Sequence, residues 1–329
     1  MGWMTGILIL IVKLSLLLGL LLFLASYLIW IERKFLARLQ VRLGPNRAGI
    51  FGLLQPIADA VKLLVKEDIV PTQADRAIFL LAPVIVAVTA LLTFAVIPIG
   101  ADWTIGGRSM PLLVSDLNIG LLYAFAMATL SVYGIAIGGW SSNSKFSLLG
   151  GIRGAAQMIS YELTLGLSIV PVVMLAGSFS LVDIVNAQAE RPFILVQPVA
   201  MVIFLISAMA ESKRIPFDLP EAENELGAGY HMEYSGMRFG LFFLGEYVQM
   251  QVLGALLAVL FLGGWRGPWL PPIVWMLIKI MLVALFMIWV RATLPRMRYD
   301  HLMSFGWKVL IPAALVNIMV TGAAMHLFN

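Results

Sequence analysis

The sequence predicts an all-α, polytopic membrane protein with about eight transmembrane helices and one amphipathic helix on the membrane surface. Of its 329 residues, 61% are hydrophobic and 12% are charged, whereas a soluble domain contains about 25% charged residues. The apolar residues are also grouped into stretches of about 20, which is the length that spans a bilayer as a helix. We therefore treat residues 1–329 as a single integral membrane domain.

Eight apolar stretches are the candidate transmembrane helices. They cover residues 6–31, 78–99, 118–139, 155–177, 194–211, 239–263, 272–291 and 306–326. The connections on one side are 32–77, 140–154, 212–238 and 292–305, and those on the other side are 100–117, 178–193 and 264–271. The sequence contains no visible internal repeat, which disfavours transporter folds that consist of two related halves.

Positive charge is distributed unequally between the two sets of connections. The first set contains 15 Lys and Arg residues, whereas the second contains only Arg108, Arg191 and Arg266. Lys and Arg are enriched in cytoplasmic loops of membrane proteins. The pattern predicts that the first set lies in the cytoplasm, that both termini lie on the outer side, and that the chain resides in the cell inner membrane. It also explains the net charge of +4 without a nucleic-acid partner.

The first cytoplasmic connection contains the predicted surface helix, within FGLLQPIADAVKLLVKED (51–68). Apolar residues recur there at helical spacing, at Leu54, Ile57, Ala58, Val61, Leu64 and Val65, and polar residues lie opposite, at Gln55, Asp59, Lys62 and Lys66. Such a segment is too polar to span the bilayer and is expected to lie along its surface. The bases before it surround a Gly44-Pro45 turn and fit either a lipid-headgroup anchor or the rim of a slot that opens into the bilayer.

Three carboxylates lie within predicted spans or at a span end, on the cytoplasmic side. Glu162 and Glu246 each lie about seven residues into a span, which is roughly 10 Å below the boundary at 1.5 Å per residue. Glu211 ends the fifth span. An acid at a helix centre costs about 2.5–3.5 kcal/mol to insert, and such residues usually face the protein interior. The three residues predict a proton path, with hydrogen-bonded packing as the alternative.

Lys279 lies in the outer half of the seventh predicted span, roughly 12 Å deep. Two roles are open for it, which are snorkelling toward the outer surface and participation in a proton relay.

The connection RIPFDLPEAENELGAGYHMEYSG (214–236) is rich in acids and has no Lys or Arg after Arg214. Asp218 to Glu221 has the D-x-x-E form of a capping box, which predicts the start of a short helix. Glu221 and Glu225 would then share a helix face, where like charges repel. Crowding of carboxylates raises their pKa values. Groups that titrate near pH 7 can take up and release protons, so this loop extends the predicted path.

The chain contains no cysteine, which excludes disulfides, thiolate zinc sites and cysteine-ligated iron–sulfur clusters. Its three histidines, His231, His301 and His326, are far apart and do not form a His-x3-His spacing. We therefore expect no bound metal and no catalytic group in this chain.

Three long segments resemble the H-type membrane subunits of NADH:quinone oxidoreductase, the respiratory complex I, a family that includes mitochondrial NADH dehydrogenase subunit 1. The segments are ERKFLARLQVRLGPNRAG with LQPIADAVKLLVKE, GWSSNSKFSLLGGIRGAAQMISYE, and ESKRIPFDLPEAENELGAGYHMEYSGMRFGLFFLGEY. The resemblance covers essentially the whole chain. There are two departures, since some members have an acid in the third span where this chain has none, and Gly227 stands where Val is common.

The resemblance implies a non-redox membrane subunit with eight membrane helices and a surface helix, linking a peripheral redox arm to antiporter-like membrane subunits. It implies that the quinone chamber includes Arg33, Arg42, Arg47 and Asp59. It also implies an acidic path through Glu211, Glu221, Glu223 and Glu225 toward Glu162 and Glu246. Quinone is then a substrate and no cofactor is bound covalently, because NADH, FMN and iron–sulfur clusters belong to partner subunits.

We therefore expect a subunit of a proton-translocating NADH:quinone oxidoreductase, whose partners are the other subunits, quinone and membrane lipids. Two alternatives remain at this point. Membrane subunits of energy-converting hydrogenases share shorter pieces of the same segments but use no quinone, and the GPNRAG and GYHMEYSG strings favour the quinone enzyme. A stand-alone ion transporter would use the same carboxylates without partner subunits.

Overall fold

The computed structural model describes residues 2–101, 103–105, 108–110 and 113–328, with side chains at 11–101, 113–222 and 225–327. Within these residues the α-helices are α1 (Gly2–Leu39), α2 (Gln55–Val65), α3 (Arg76–Phe94), α4 (Gly120–Ser141), α5 (Lys145–Ala176), α6 (Leu181–Ala187), α7 (Pro198–Glu211), α8 (Glu223–Leu226), α9 (Gly236–Phe261), α10 (Pro272–Thr293), α11 (Tyr299–Phe305) and α12 (Ile311–Phe328). Short 3-10 turns occur at Ile50–Gly52, Phe193–Leu195 and Gly229–His231, and a π-turn, Gly306–Leu310, joins α11 to α12.

The eight predicted spans correspond to eight helical segments of the structure. Seven are long and apolar enough to cross a membrane, with α11, the π-turn and α12 counted as one. The eighth, α7, has 14 residues, which is about 21 Å at the α-helical rise. It is shorter than predicted because Pro198 occupies its first turn and the preceding residues 193–195 form a 3-10 turn. The prediction of an all-α polytopic membrane protein is confirmed.

Two predicted connections are largely helical. Helix α5 begins at Lys145, ten residues before the predicted span at 155–177, and α11 occupies half of the predicted connection 292–305. The cause is that hydropathy marks the part of a helix inside the bilayer, whereas a helix continues beyond it as long as its backbone hydrogen bonds do.

A small hairpin lies in the predicted connection 100–117. Strands β1 (Trp103–Ile105) and β2 (Arg108–Met110) pair antiparallel, with Thr104 opposite Ser109.

The ends of the helix bundle carry different connections. One end, here called the loop side, joins residues 66–75, 141–144, 212–235 and 294–298, since Ile69 N donates to Ser235 Oγ, Asp75 N to Ser141 O and Met297 N to Pro216 O. The other end, the hairpin side, carries residues 95–119, 177–197 and 262–271.

Helix α9 is the centre of the bundle. It packs against α1, α2, α3, α7 and α10, and every residue from Gly245 to Phe261 is buried. This apolar helix includes Glu246, Gln249 and Gln251. Polar side chains buried at this depth are costly unless they have partners, so their partners define the site described below.

The surface helix α2 lies against the ends of α1 and α9. Its apolar residues Leu54, Ile57, Val61, Leu64 and Val65 are between 52% and 81% exposed. An apolar helix face that the rest of the chain leaves uncovered is what a helix lying on a bilayer requires.

Candidate functional site

The first group of predicted site residues lies where α1 ends. Arg33 Nη1 donates to Asp59 Oδ2 at 2.7 Å, and Gln55 Nε2 donates to Asp59 Oδ1 at 3.0 Å. Lys62 Nζ lies 3.9 Å from Asp59 Oδ1. The carboxylate of Asp59 therefore holds the surface helix α2 against the end of α1.

A cavity of about 710 Å³ adjoins this pair. It is lined by Arg33, Arg42, Leu43, Gly44, Pro45, Asn46, Arg47 and Gln55. Arg42 Nε donates to Gln40 Oε1 at 2.7 Å. The structure thus brings three of the four predicted quinone-binding residues, Arg33, Arg42 and Arg47, to one cavity, and the fourth, Asp59, accepts from two of its lining residues. The volume is within the range of small-molecule sites.

Asp218 contacts the last connection of the loop side. Arg296 Nη2 donates to Asp218 Oδ2 at 2.9 Å, while Oδ1 is buried and has no hydrogen-bond partner among the described residues. Burial raises the pKa of Asp218 to about 6, the charge of Glu221 acts in the same direction, and Arg296 opposes both. The capping-box interpretation is wrong, because α8 begins only at Glu223 and the Asp218 carboxylate is bonded to Arg296.

Glu221 belongs to a buried three-residue cluster. Lys213 Nζ donates to Tyr230 Oη at 2.8 Å and to Glu221 Oε1 at 3.3 Å, and Tyr230 Oη donates to Glu221 Oε1 at 2.8 Å. Burial acts to raise the pKa of Glu221, but the charges of Lys213 and His231 and the two hydrogen bonds hold it below its ordinary value. The expected effect of crowded carboxylates therefore holds for Asp218 and is wrong for Glu221, which has a cation of its own.

The other two loop acids of the prediction lie apart from this cluster. Arg153 Nη1 donates to Glu225 Oε2 at 2.7 Å, and the Glu225 side chain is 53% exposed. Because α8 begins at Glu223, Glu221 and Glu225 do not share a helix face as predicted. The Glu223 side chain lies outside the described residues.

Glu211, the last residue of α7, and Glu246 of α9 line one small cavity of about 20 Å³ together with Lys213 and Gln249. Gln249 Nε2 donates to Glu211 Oε1 at 2.8 Å. Glu211 Oε2 and Gln249 Oε1 are buried and have no hydrogen-bond partner within the described part of the chain. The volume is enough for about one water molecule, so a polar space connects the two carboxylates.

A buried charge cluster centred on Glu32 was not predicted from the sequence. Arg214 Nη1 donates to the two carboxylate oxygens of Glu32 at 2.9 and 3.0 Å, Tyr247 Oη donates to Glu32 at 2.8 Å, and Arg291 also donates to it. Arg214 Nε lies 2.8 Å from Glu246 Oε1, an ion pair that lacks the angle of a hydrogen bond. The sequence signal is an acid directly after an apolar stretch, in IWIERK.

Glu162 lies at the edge of the bundle. It accepts a hydrogen bond from Thr129 Oγ1 of α4, the third span, and lies within electrostatic range of Glu211. It also lines a largely apolar groove of about 740 Å³ between α4, α5 and the π-turn, where Trp307 and Phe125 form part of the wall. The third span, which lacks an acid, thus contributes a hydroxyl to the predicted path.

Lys279 of α10 is bonded to the hairpin side of α9. Its Nζ donates to the carbonyl oxygens of Leu262, Gly264 and Arg266, each at 2.7 Å. All three N–H groups of the ammonium are used, and a cation is favourable beside the carbonyl end of a helix. This arrangement accounts for a lysine at that depth without a relay.

Together, the acids and bases form a series from the loop side into the bundle. It runs from Asp218 and the Glu221 cluster, through Lys213, to Glu211 and Glu246, and ends at Glu162. Such a series of close ionisable groups can transmit a change of charge, because each group interacts with the next at low effective dielectric.

Comparisons with known proteins give a consistent result. The family described as NADH dehydrogenase matches residues 12–322. The relatives are all H-type subunits of NADH-quinone oxidoreductase. The chain is 74% identical over 323 residues to the second such subunit of Syntrophobacter fumaroxidans, covering 98% of each chain. It is 61% identical over 317 residues to that of Syntrophotalea carbinolica, covering 96% of each, and 62% identical over 310 residues to the first such subunit of Geobacter metallireducens, covering 94% of each.

Proposed function

The chain belongs to the NADH dehydrogenase family, and we propose that it is the membrane subunit of a proton-translocating NADH:quinone oxidoreductase that forms part of the quinone chamber and couples quinone reduction to proton movement. It is a non-redox subunit, and NADH, FMN and iron–sulfur clusters are carried by partner subunits. The observation that carries the coupling role is the series of ionisable groups from Asp218 and Glu221 through Lys213 to Glu211, Glu246 and Glu162.

We propose that the loop side faces the cytoplasm and that both termini lie on the outer side of the cell inner membrane. The asymmetry of Lys and Arg supports this orientation. The loop side is then the side on which the peripheral redox arm docks, and the quinone enters from the bilayer beneath the surface helix α2.

The quinone chamber, in this proposal, includes the cavity of about 710 Å³ lined by Arg33, Arg42 and Arg47. Asp59 fixes the position of Arg33 through the 2.7 Å hydrogen bond. A quinone accepts two electrons and two protons when it is reduced, so it becomes transiently anionic unless protons arrive with the electrons. Guanidinium groups around the chamber stabilise such negative charge.

The coupling follows from the electrostatics of the acidic series. A change of charge in the chamber alters the protonation of Asp218 and of the Glu221 cluster, which lie on the loop side. Asp218 is suited to respond, because its pKa of about 6 lies close to neutral pH. Glu211 and Glu246 share a polar cavity with Lys213, and Glu162 lies within electrostatic range of Glu211, so the change is transmitted into the membrane.

The partner subunits are proposed to cover the groove of about 740 Å³ at Glu162. A carboxylate beside lipid alone is costly, whereas one at a subunit interface can be solvated by polar groups of the partner. Lipids cover the exposed apolar residues of α1 and α12, such as Phe23 and Met319.

The test of the relay is a pair of variants, Glu162→Gln and Glu246→Gln, in the assembled complex reconstituted in vesicles. Protons moved per quinone reduced are expected to fall severalfold in each variant. Glu67→Gln is the matched control, because Glu67 is an exposed acid of the loop side and forms no ion pair within the described residues. Undiminished pumping in both variants would rule out the relay.

The quinone chamber is tested separately with a photoreactive quinone analogue. Illumination of the complex is expected to label residues between 33 and 65, and an excess of unlabelled quinone is expected to prevent the labelling. Labelling that is confined to other segments would reject the chamber assignment while leaving the relay untouched.

A further inference from the structure

We propose that Lys213 is a positioning residue whose single positive charge is shared between Glu221 on the loop side and the Glu211–Glu246 pair in the membrane. Protonation of Glu221 then leaves the charge of Lys213 uncompensated and favours ionisation of the membrane pair, so the two sides change charge in opposite directions. This inference rests on the proposed function, because it specifies how the acidic series transmits charge.

The first observation is the burial of Lys213. Its side chain is 5% exposed, and its backbone has a φ of 53°, in the left-handed region that non-glycine residues rarely adopt. The segment around it is fixed by Gln157, whose Nε2 donates at 2.8 Å to the carbonyl oxygens of Ala210 and Phe217. A buried ammonium and a strained backbone both cost free energy, and they persist only where surrounding contacts hold them.

The second observation is the set of groups around the ammonium. Two of its three N–H groups have acceptors, at Tyr230 Oη and Glu221 Oε1. The residue also lines the cavity that contains Glu211 and Glu246, and it is the only Lys or Arg among the described residues that line that cavity. Lys213 therefore lies between the loop acid and the membrane acids and contacts the space of both.

The third observation is the charge balance of the membrane pair. Glu246 has Arg214 at 2.8 Å, but Arg214 is shared with Glu32. Glu211 accepts from the neutral amide of Gln249 and has no ion-pair partner among the described residues. Lys213 is thus the cation available to Glu211, and Glu221 competes for it.

Other charged groups face the same region. Asp218 and His231 act on Glu221 from the loop side, and Arg291 and Tyr247 act on Glu246 through Glu32. These groups set the baseline, whereas Lys213 is the one that both Glu221 and the cavity share. Removing its charge is expected to uncouple the two sides and not merely to weaken one of them.

The experiment compares Lys213→Met, Lys213→Arg and Glu221→Gln in the assembled complex in vesicles. The readouts are the pH profile of quinone reduction with the proton gradient collapsed, and the protons moved per quinone. Lys213→Met is expected to shift the profile toward higher pH by about one unit, because the membrane carboxylates lose a cation, and to lower the proton ratio severalfold. Lys213→Arg is expected to restore most of both.

Glu221→Gln is expected to shift the profile in the opposite direction, toward lower pH, because it releases the charge of Lys213 to the membrane pair. In the Lys213→Met background the same substitution is expected to have little effect, since the shared charge is gone. A merely structural lysine would give additive effects of one sign. Lys145→Met is the control, because Lys145 is exposed on the loop side and forms no ion pair in the described part of the chain.

An unchanged pH profile and proton ratio in Lys213→Met, or additive effects in the double variant, would overturn the inference. Should Lys213→Met fail to assemble, Lys213→Arg with Glu221→Gln gives the same comparison, and additivity there would be equally decisive. The outcome is separable from the relay itself. Intact pumping in Glu162→Gln together with a shifted profile in Lys213→Met would reject the relay and retain the role of Lys213.

Discussion

The guanidinium of Arg214 donates to both carboxylate oxygens of Glu32, at 2.9 and 3.0 Å, although 182 residues separate them in the chain. Glu32 is 2% exposed and Arg214 is 4% exposed. The pair joins α1 to the acidic loop that follows α7. Because Arg291 also donates to Glu32 and Arg214 also contacts Glu246, two carboxylates and two guanidinium groups balance one another in this interior.

The first prediction follows from that balance. Glu32→Gln removes one negative charge and leaves the cluster with an uncompensated positive charge. Breaking a buried ion pair from one side costs about 3 kcal/mol or more, so the thermal midpoint of the purified chain in detergent is expected to fall by several degrees.

Two comparisons test this explanation. Glu32→Gln combined with Arg291→Gln restores the balance and is expected to be less destabilised than Glu32→Gln alone. Asp300→Asn is the control, because its pair with Arg298 is exposed and exposed pairs contribute little to stability. Equal losses in the single and double variants would contradict the charge-balance argument.

The residues predicted from the sequence were those with a local signal. Glu162, Glu211 and Glu246 could be predicted because an acid within an apolar stretch is unusual wherever it lies. The order in which they meet could not, since it depends on the packing of α5, α7 and α9. The partners Lys213 and Arg214 had no signal of their own, because two bases that end an apolar helix are also typical of a solvated loop.

Local patterns also misled where tertiary contacts were stronger. Asp218 and Glu221 fit a capping box, but each is bonded to a distant base instead. Gly227, which the family resemblance marked as a departure from Val, has a φ of 60°. That left-handed conformation favours glycine, and it cannot be recognised from one sequence because the turn after α8 has no regular pattern.

The second prediction concerns Asp218, whose pKa is raised by burial to about 6 in the folded chain from an ordinary value of 3.8. Between these values the folded chain binds more protons than the unfolded chain, so the contribution of Asp218 to stability is complete below about pH 3.8 and is lost as the pH rises through 6. The shift corresponds to about 3 kcal/mol at most. Asp218→Asn fixes the neutral form.

The measurement is the thermal midpoint of wild type and Asp218→Asn at pH 5 and at pH 7. The stability of the variant relative to wild type is expected to increase with pH over this interval. A difference that is independent of pH, or that changes in the opposite direction, would show that Arg296 determines the titration of Asp218 and that burial does not.

The third prediction separates two roles of Lys279. Its ammonium donates to three carbonyl oxygens beyond the end of α9. Lys279→Met leaves these acceptors without their donor and is expected to cost about 2 kcal/mol or more. In complexes that do assemble, the protons moved per quinone are expected to remain as in wild type. A normal thermal midpoint with a reduced proton ratio would instead support a relay through Lys279.

The fourth prediction uses two glycines of α5 that differ only in their surroundings. A Cβ at Gly150 would lie 2.6 Å from Tyr230 N and 2.7 Å from Gly229 Cα, both backbone atoms. Gly150→Ala therefore has to displace the segment that carries Tyr230, whose hydroxyl bonds Lys213 and Glu221. Overpacking of this kind costs about 1–3 kcal/mol.

Gly166 is the matched control, because a Cβ there meets no atom within 4 Å in the described part of the chain. Gly166→Ala is expected to leave stability unchanged or to raise it by up to about 1 kcal/mol, since alanine favours helix more than glycine does. If Tyr230 must be held in place for coupling, Gly150→Ala lowers both the thermal midpoint and the protons moved per quinone, and Gly166→Ala lowers neither. A loss of stability in Gly150→Ala with an unchanged proton ratio would mean that the Lys213, Glu221 and Tyr230 cluster tolerates displacement and does not set the coupling.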